Sequence, residues 1–159
     1  MTESDRALLV ELRKLLLELH KTLIDWQRTD YERVRGRLQA TQLLNVIFND
    51  PEFAWLRSMS GLIVRIDEAL DPPSRPEAAS ARLRLSSPVD RRAEAGGKPA
   101  RELMESGPLV AAARDLIAPE AGSAYAQRYH AALQELPEAV LAHRDLVVLL
   151  KLQRPASNA

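Results

Sequence analysis

The chain has no cysteine. Disulfides, thiolate nucleophiles and thiolate-held metals are therefore excluded, and redox chemistry says nothing about compartment. It also has no net charge, because 22 Lys and Arg balance 22 Asp and Glu. Without a basic excess nothing recommends nucleic acid, and without an acidic one nothing suggests a charge-driven partner. Long apolar runs are missing too. The first is preceded by Glu3, Asp5 and Arg6 and broken by Glu11, Arg13 and Lys14. It is neither a signal peptide nor a membrane span, so no membrane association and a cytoplasmic location are expected. Strand-like alternation is almost absent, and no internal repeat of useful quality appears. There is no phosphate loop, GxSxG, dinucleotide fingerprint or HExxH, which counts against the familiar nucleotide-using enzymes.

What remains is helix. The 159 residues, 46% hydrophobic, suit one domain with a real core. The organising stretch runs from Glu3 to Arg35. With Leu12 set as heptad position a, the a and d positions are Leu8, Leu12, Leu15, Leu19, Thr22 and Trp26, and the e positions include Leu9, Leu16 and Leu23. The f positions, which ordinarily face water, are Val10, Leu17, Ile24 and Tyr31. At about 100° per residue, these rows cover more than half of the helix circumference. Only the g row (Glu11, Glu18, Asp25, Glu32) and the c row (Lys14, Lys21, Arg28, Arg35) are left for solvent. Such a helix must be covered on two sides, one by its own chain and the other by more of it or by a second copy. The acidic g row adjoins cations, so it reads as a solvated stripe rather than a di-metal cluster.

The b row is anomalous, because Arg13, His20 and Gln27 lie between apolar rows. Arg13 can extend its head to water. His20, flanked by leucines, is expected to be largely buried. It reads either as a hydrogen-bonded core or interface histidine or as a ligand or proton-transfer group. Asp67, at the edge of a later apolar stripe, is a possible buried acid–base partner for it.

After Gly36, a short helix is predicted over Gln42–Phe48, capped by Thr41. Asp50-Pro51-Glu52 restarts a helix that runs to about Leu70. Gly61 in that helix suggests a close helix crossing. Asp71-Pro72-Pro73 stops it. From 71 to 106 the chain reads as a flexible, disordered linker. Helices are expected again over Leu109–Ile117, over Ala124–Leu136 capped by Ser123, and from Pro137 to about Leu152, followed by a frayed tail over 153–159. The run Leu146–Leu150 is predicted to be buried nearly all round. Trp26, Phe53, Trp55, Tyr125 and Tyr129 suit a core, with a ligand pocket as the alternative.

Leu19-His20-Lys21, Tyr31-Glu32-Arg33, Asn49-Asp50-Pro51-Glu52-Phe53-Ala54-Trp55-Leu56 and Ile66-Asp67-Glu68 together resemble a group of small uncharacterised bacterial all-helical proteins. The likeness extends to Tyr129, Ala131-Ala132-Leu133-Gln134 and Leu141-Ala142-His143 and covers about two thirds of the chain. It implies a bacterial, cytosolic, helical protein and attaches no activity. The histidine and helix count is also similar to the four-helix metal-dependent transferases of the DinB type. That similarity implies His20, His130 and His143 around one divalent transition metal with an open position.

The expected fold is an all-α, single-domain helical bundle built around a long central first helix. The first functional expectation is a structural or interaction protein without a cofactor. It self-associates as a homodimer or binds a partner helix through Val10, Leu17, Ile24 and Tyr31. The second is a metal- or small-molecule-dependent helical enzyme using the three histidines.

Overall fold

Thr2 starts the first helix by trading hydrogen bonds with Asp5. Its hydroxyl accepts from the Asp5 N–H (3.1 Å), while the Asp5 carboxylate accepts from the Thr2 N–H (3.0 Å). The computed structural model describes residues 1–71 and 106–152. In it α1 spans Glu3–Arg35 and ends at Gly36, whose φ of 89° is a conformation that favours glycine. Helix α2 (Ala40–Asn49) begins ahead of the predicted Thr41 cap. The reason is local, since the Gln42 side chain turns back to accept from the Gln39 N–H at 3.0 Å.

Asp50 caps the next segment, accepting from the Glu52 N–H at 2.9 Å. Pro51–Leu56 forms a 3₁₀ turn that continues into α3, Arg57–Leu70. After the undescribed segment come α4 (Ser106–Ile117), α5 (Ala124–Glu135, capped by Ser123) and α6 (Pro137–Leu152). The described residues contain no strand, and none of their helices is long and apolar enough to cross a membrane. The expected linker, apart from its first and last residues, and the expected tail lie outside the described residues.

Both halves of the chain feed one contiguous core around α1. Helices α3 and α6 flank α1, and α4 packs across α3 and α6 on the far side. Polar contacts give the directions. Arg13 meets Asp67 while His20 meets Ser60, so α3 runs antiparallel to α1. Trp26 meets Glu135, while Glu11, Lys14 and Leu15 share a cleft with Val148, Leu149 and Leu152, so α6 is antiparallel as well. Ser106 donates to Asp5, setting the start of α4 beside the start of α1. The two-sided cover that α1 requires therefore comes from its own chain.

The rows of α1 do not hold constant exposure along its length. On the f row, Val10 is 50% exposed, Leu17 37%, Ile24 half-buried and Tyr31 only 7%. On the b row, Arg13 and His20 are half-buried and Gln27 is fully enclosed. The opposite edge runs the other way, since Leu8 and Leu15 are buried, Thr22 is half-buried and Thr29 exposed. This is the drift of about 20° per heptad that separates an α-helix from a seven-residue repeat. Toward the C-terminal end the f and b rows turn inward and the d row turns out. Tyr31 is thus not part of an outer face. It packs edge-on against Phe53 (centroids 5.8 Å apart) and its hydroxyl donates to Asp50 at 3.2 Å.

Two other expectations are corrected. The α6 run is not buried all round: Leu146 and Leu150 are enclosed, but Val148 is half-exposed, because α1, α4 and α5 pack around α6 without covering that face. Gly61 makes no close crossing within the described residues, and a Cβ placed there would meet nothing within 4 Å.

Leu16 is fully enclosed at the centre of the α1 stripe. Leu16→Ala is expected to destabilise the fold by about 2–5 kcal/mol, because both transfer energy and a cavity are involved. Urea unfolding measures it, and a loss well under 1 kcal/mol would contradict the enclosure of α1 described here.

Candidate functional site

The polar b row of α1 turns out to be one feature. Arg6 donates to the Leu70 carbonyl at 2.9 Å, Arg13 pairs with Asp67, His20 Nε2 lies 2.8 Å from Ser60 Oγ, and Gln27 Oε1 accepts from Trp55 Nε1 at 3.0 Å. Each successive rung is seven residues further along α1 and further back along α3 and the 3₁₀ turn. A ladder of this kind fixes register, since sliding the helices by one turn would mismatch every rung. Its lowest rung is incomplete, because Gln27 Nε2 is buried and has no partner among the described residues. Beyond the ladder, Arg35 of the c row pairs with Glu52 at 3.1 Å and lies over the Tyr31 ring.

The two buried-polar candidates therefore separate. Asp67 is half-exposed and is taken by Arg13, so it does not serve His20. His20 is half-buried on Ser60, whose hydroxyl also lies 3.2 Å from the Leu56 carbonyl. Burial pushes the His20 pKa below its ordinary value.

The other two histidines sit elsewhere, around Tyr129. His143 Nδ1 is 2.8 Å from the Tyr129 hydroxyl, whereas His130 is exposed with its ring 6.2 Å from the Tyr129 ring. Burial, and then the neighbouring His130, lower the His143 pKa. Among the described residues no three His, Asp or Glu side chains gather closely enough to hold a metal ion. The three-histidine centre is thus not assembled, because His20 faces α3 while the other pair belongs to α5 and α6. The aromatics form a continuous run through the core. Trp26, Trp55, Tyr125 and Tyr129 follow one another at centroid separations of 6.3, 5.9 and 5.5 Å.

Outside the ladder lies a shallow groove. The exposed half of the f row, Val10 and Leu17, forms one wall. Val64 of α3 is 53% exposed, and the antiparallel register sets it level with Leu17 across the seam. The groove is lined by Val10, Arg13, Asp67, Glu68, Leu70 and Asp71, so that carboxylates stand at the end nearest Leu70, and His20–Ser60 is the next rung along the seam. Lys21 follows Leu17 by one turn of α1 and Arg65 follows Val64 on α3, whereas Lys14 lines the cleft toward α6. Lys21 and Arg65 make no ion pair among the described residues, and Lys14 reaches Glu11 only at 3.8 Å. The sequence alone pointed to Val10 and Leu17. It missed Val64, a lone valine off its own helix's stripe, whose meaning depends on the neighbour beside it.

Compared with models of protein families, with curated proteins and with solved structures, the chain matches none.

The His20 environment sets a pH dependence. The native state resists protonation, whereas the unfolded chain takes the proton near the ordinary value of 6.5. His20's contribution to stability is thus complete above about pH 6.5 and is lost as the pH falls through its lower native value. His20→Leu should lose less stability than the parent between about pH 7 and pH 5, with His143 a common background in both. Urea midpoints across that window measure the difference. Parallel curves would mean that His20 titrates alike folded and unfolded.

Proposed function

We propose that this chain is a helical interaction protein that seats an acidic amphipathic helix of a partner in the outer groove between α1 and α3. The observation carrying this reading is the side-by-side exposure of Val10, Leu17 and Val64, large apolar side chains of two adjacent helices. A helix laid between two others presents apolar residues at three- and four-residue spacing, which suits such a pair of walls. Lys21 and Arg65, which make no ion pair among the described residues, favour acidic residues on the part of the incoming helix beside them and away from Glu68 and Asp71, and Gly61 leaves the α3 wall low.

A second copy fits this groove less well. In an antiparallel two-fold pairing along the f row, the flanking c row would meet its own symmetry mate, bringing Lys14 and Lys21 against lysines. A parallel pairing would set the same lysines against Arg13 and His20. Either arrangement opposes like charges or leaves the cations without partners.

A labelled synthetic amphipathic helix, with leucines at three- and four-residue spacing and glutamate flanks, tests the proposal by fluorescence anisotropy. It should bind, and should bind less tightly as salt is raised. Leu17→Glu should weaken it by about tenfold or more, since a buried apolar contact becomes a repulsive carboxylate. Equal binding of a lysine-flanked peptide, or no effect of Leu17→Glu, overturns it. Light scattering of the chain alone should give a monomer, and a dimer that Leu17→Glu dissociates would replace the partner helix with a second copy.

A further inference from the structure

We propose that the groove between α4 and α6 binds a linear, apolar carboxylate of about octanoate's length whose far end carries an oxygen acceptor. This surface is separate from the α1–α3 groove and does not depend on the partner reading. Its floor is apolar, made by Ile117, Val147 and Leu150, and no Asp or Glu lines it among the described residues. Its polar groups sit at two ends. Arg114 and Lys151 stand at one, and His143 at the other. His143 and Lys151 are separated by about 12 Å along α6, at a rise of about 1.5 Å per residue. A chain shorter than a typical fatty acid, but longer than a common metabolite carboxylate, spans that distance.

The cationic end is held in place. One Arg114 N–H donates to the Leu150 carbonyl at 2.9 Å, which fixes the guanidinium at the groove and leaves its other donors available. Beside Lys151, those donors make a carboxylate the complementary head group.

The chemistry of the other end follows from a buried proton. Tyr129 is fully enclosed, and its hydroxyl contacts only His143 Nδ1 among the described residues. Burial keeps that phenol protonated well above neutral pH. Were Nδ1 to carry a hydrogen, the phenolic O–H would be left buried without an acceptor, a costly state. The Tyr129 O–H therefore donates to Nδ1, and the ring proton resides on Nε2. His143 thus offers a neutral N–H donor to the groove, matched by a hydroxyl or carbonyl oxygen at the ligand's tail.

The full chain, with its methyl groups isotopically labelled, is titrated by NMR with octanoate, octylammonium and ω-hydroxyoctanoate. Octanoate should shift the Ile117 and Val147 methyl signals and bind about tenfold more tightly than octylammonium, the difference one charge-assisted head-group contact makes. The terminal hydroxyl should tighten binding further. Lys151→Glu, at an exposed position in the last turn of α6, should lower the melting temperature only slightly, through the helix dipole, and weaken octanoate by about tenfold or more. Octylammonium binding as tightly as octanoate would overturn the assignment. So would no gain from the hydroxyl, shifts confined to other surfaces, or an unaltered Lys151→Glu affinity.

Discussion

A helix of thirty-three residues with leucine around more than half its girth has to be enclosed before the rest of the chain can settle. Each fully buried leucine contributes about 1.5–3 kcal/mol relative to exposure, and α1 supplies five that are completely shielded. That demand explains the arrangement of the other helices. Helices α3 and α6 are both antiparallel to α1 and lie on either side of it, and α4 closes the bundle opposite. Helix α2, which has no fully buried residue, remains peripheral beside the 3₁₀ turn.

Local chemistry was readable in the sequence at most helix ends, the Gln39–Gln42 start of α2 excepted. Asp50 and Ser123 cap as their types predict, and Gly36 ends α1 for want of a side chain. The leucine stripe of α1 is buried as its spacing implies. What could not be read was angular. A heptad frame treats Val10 and Tyr31 as equivalent, yet three heptads of drift turn Tyr31 onto Phe53 and leave Val10 at the surface. The same rotation takes Gln27 into the core while Arg13 keeps one edge in water. The outcome for each residue depends on where α3 stands, and nothing in α1 encodes that position.

Pairing of polar groups was still less accessible. His20 and Asp67 both lie beside apolar stripes, which makes them look like natural mates. Arg13 reaches Asp67 first because the antiparallel register brings residue numbers summing to about eighty opposite one another. His20 is therefore opposite Ser60. His143 shows the complementary case. Its role is set by a phenol on a different helix, since the need of Tyr129 for an acceptor decides which ring nitrogen carries the proton. Three histidines in a composition table thus resolve into one seam histidine, one exposed histidine and one oriented by a buried tyrosine.

The seven-residue rungs along the α1–α3 seam bear on how this sequence can change. Each rung ties one position in the first helix to one specific mate some thirty to sixty residues later. Loss of Trp55 would leave the Gln27 amide buried with neither end satisfied, whereas Arg13, partly exposed, would turn to water on loss of Asp67. Neighbouring leucines, by contrast, can be exchanged for other apolar groups of similar volume with little consequence. Descent should therefore leave paired substitutions at Gln27 with Trp55 more than at the exposed pair of Arg13 with Asp67, while the greasy positions between them drift more freely.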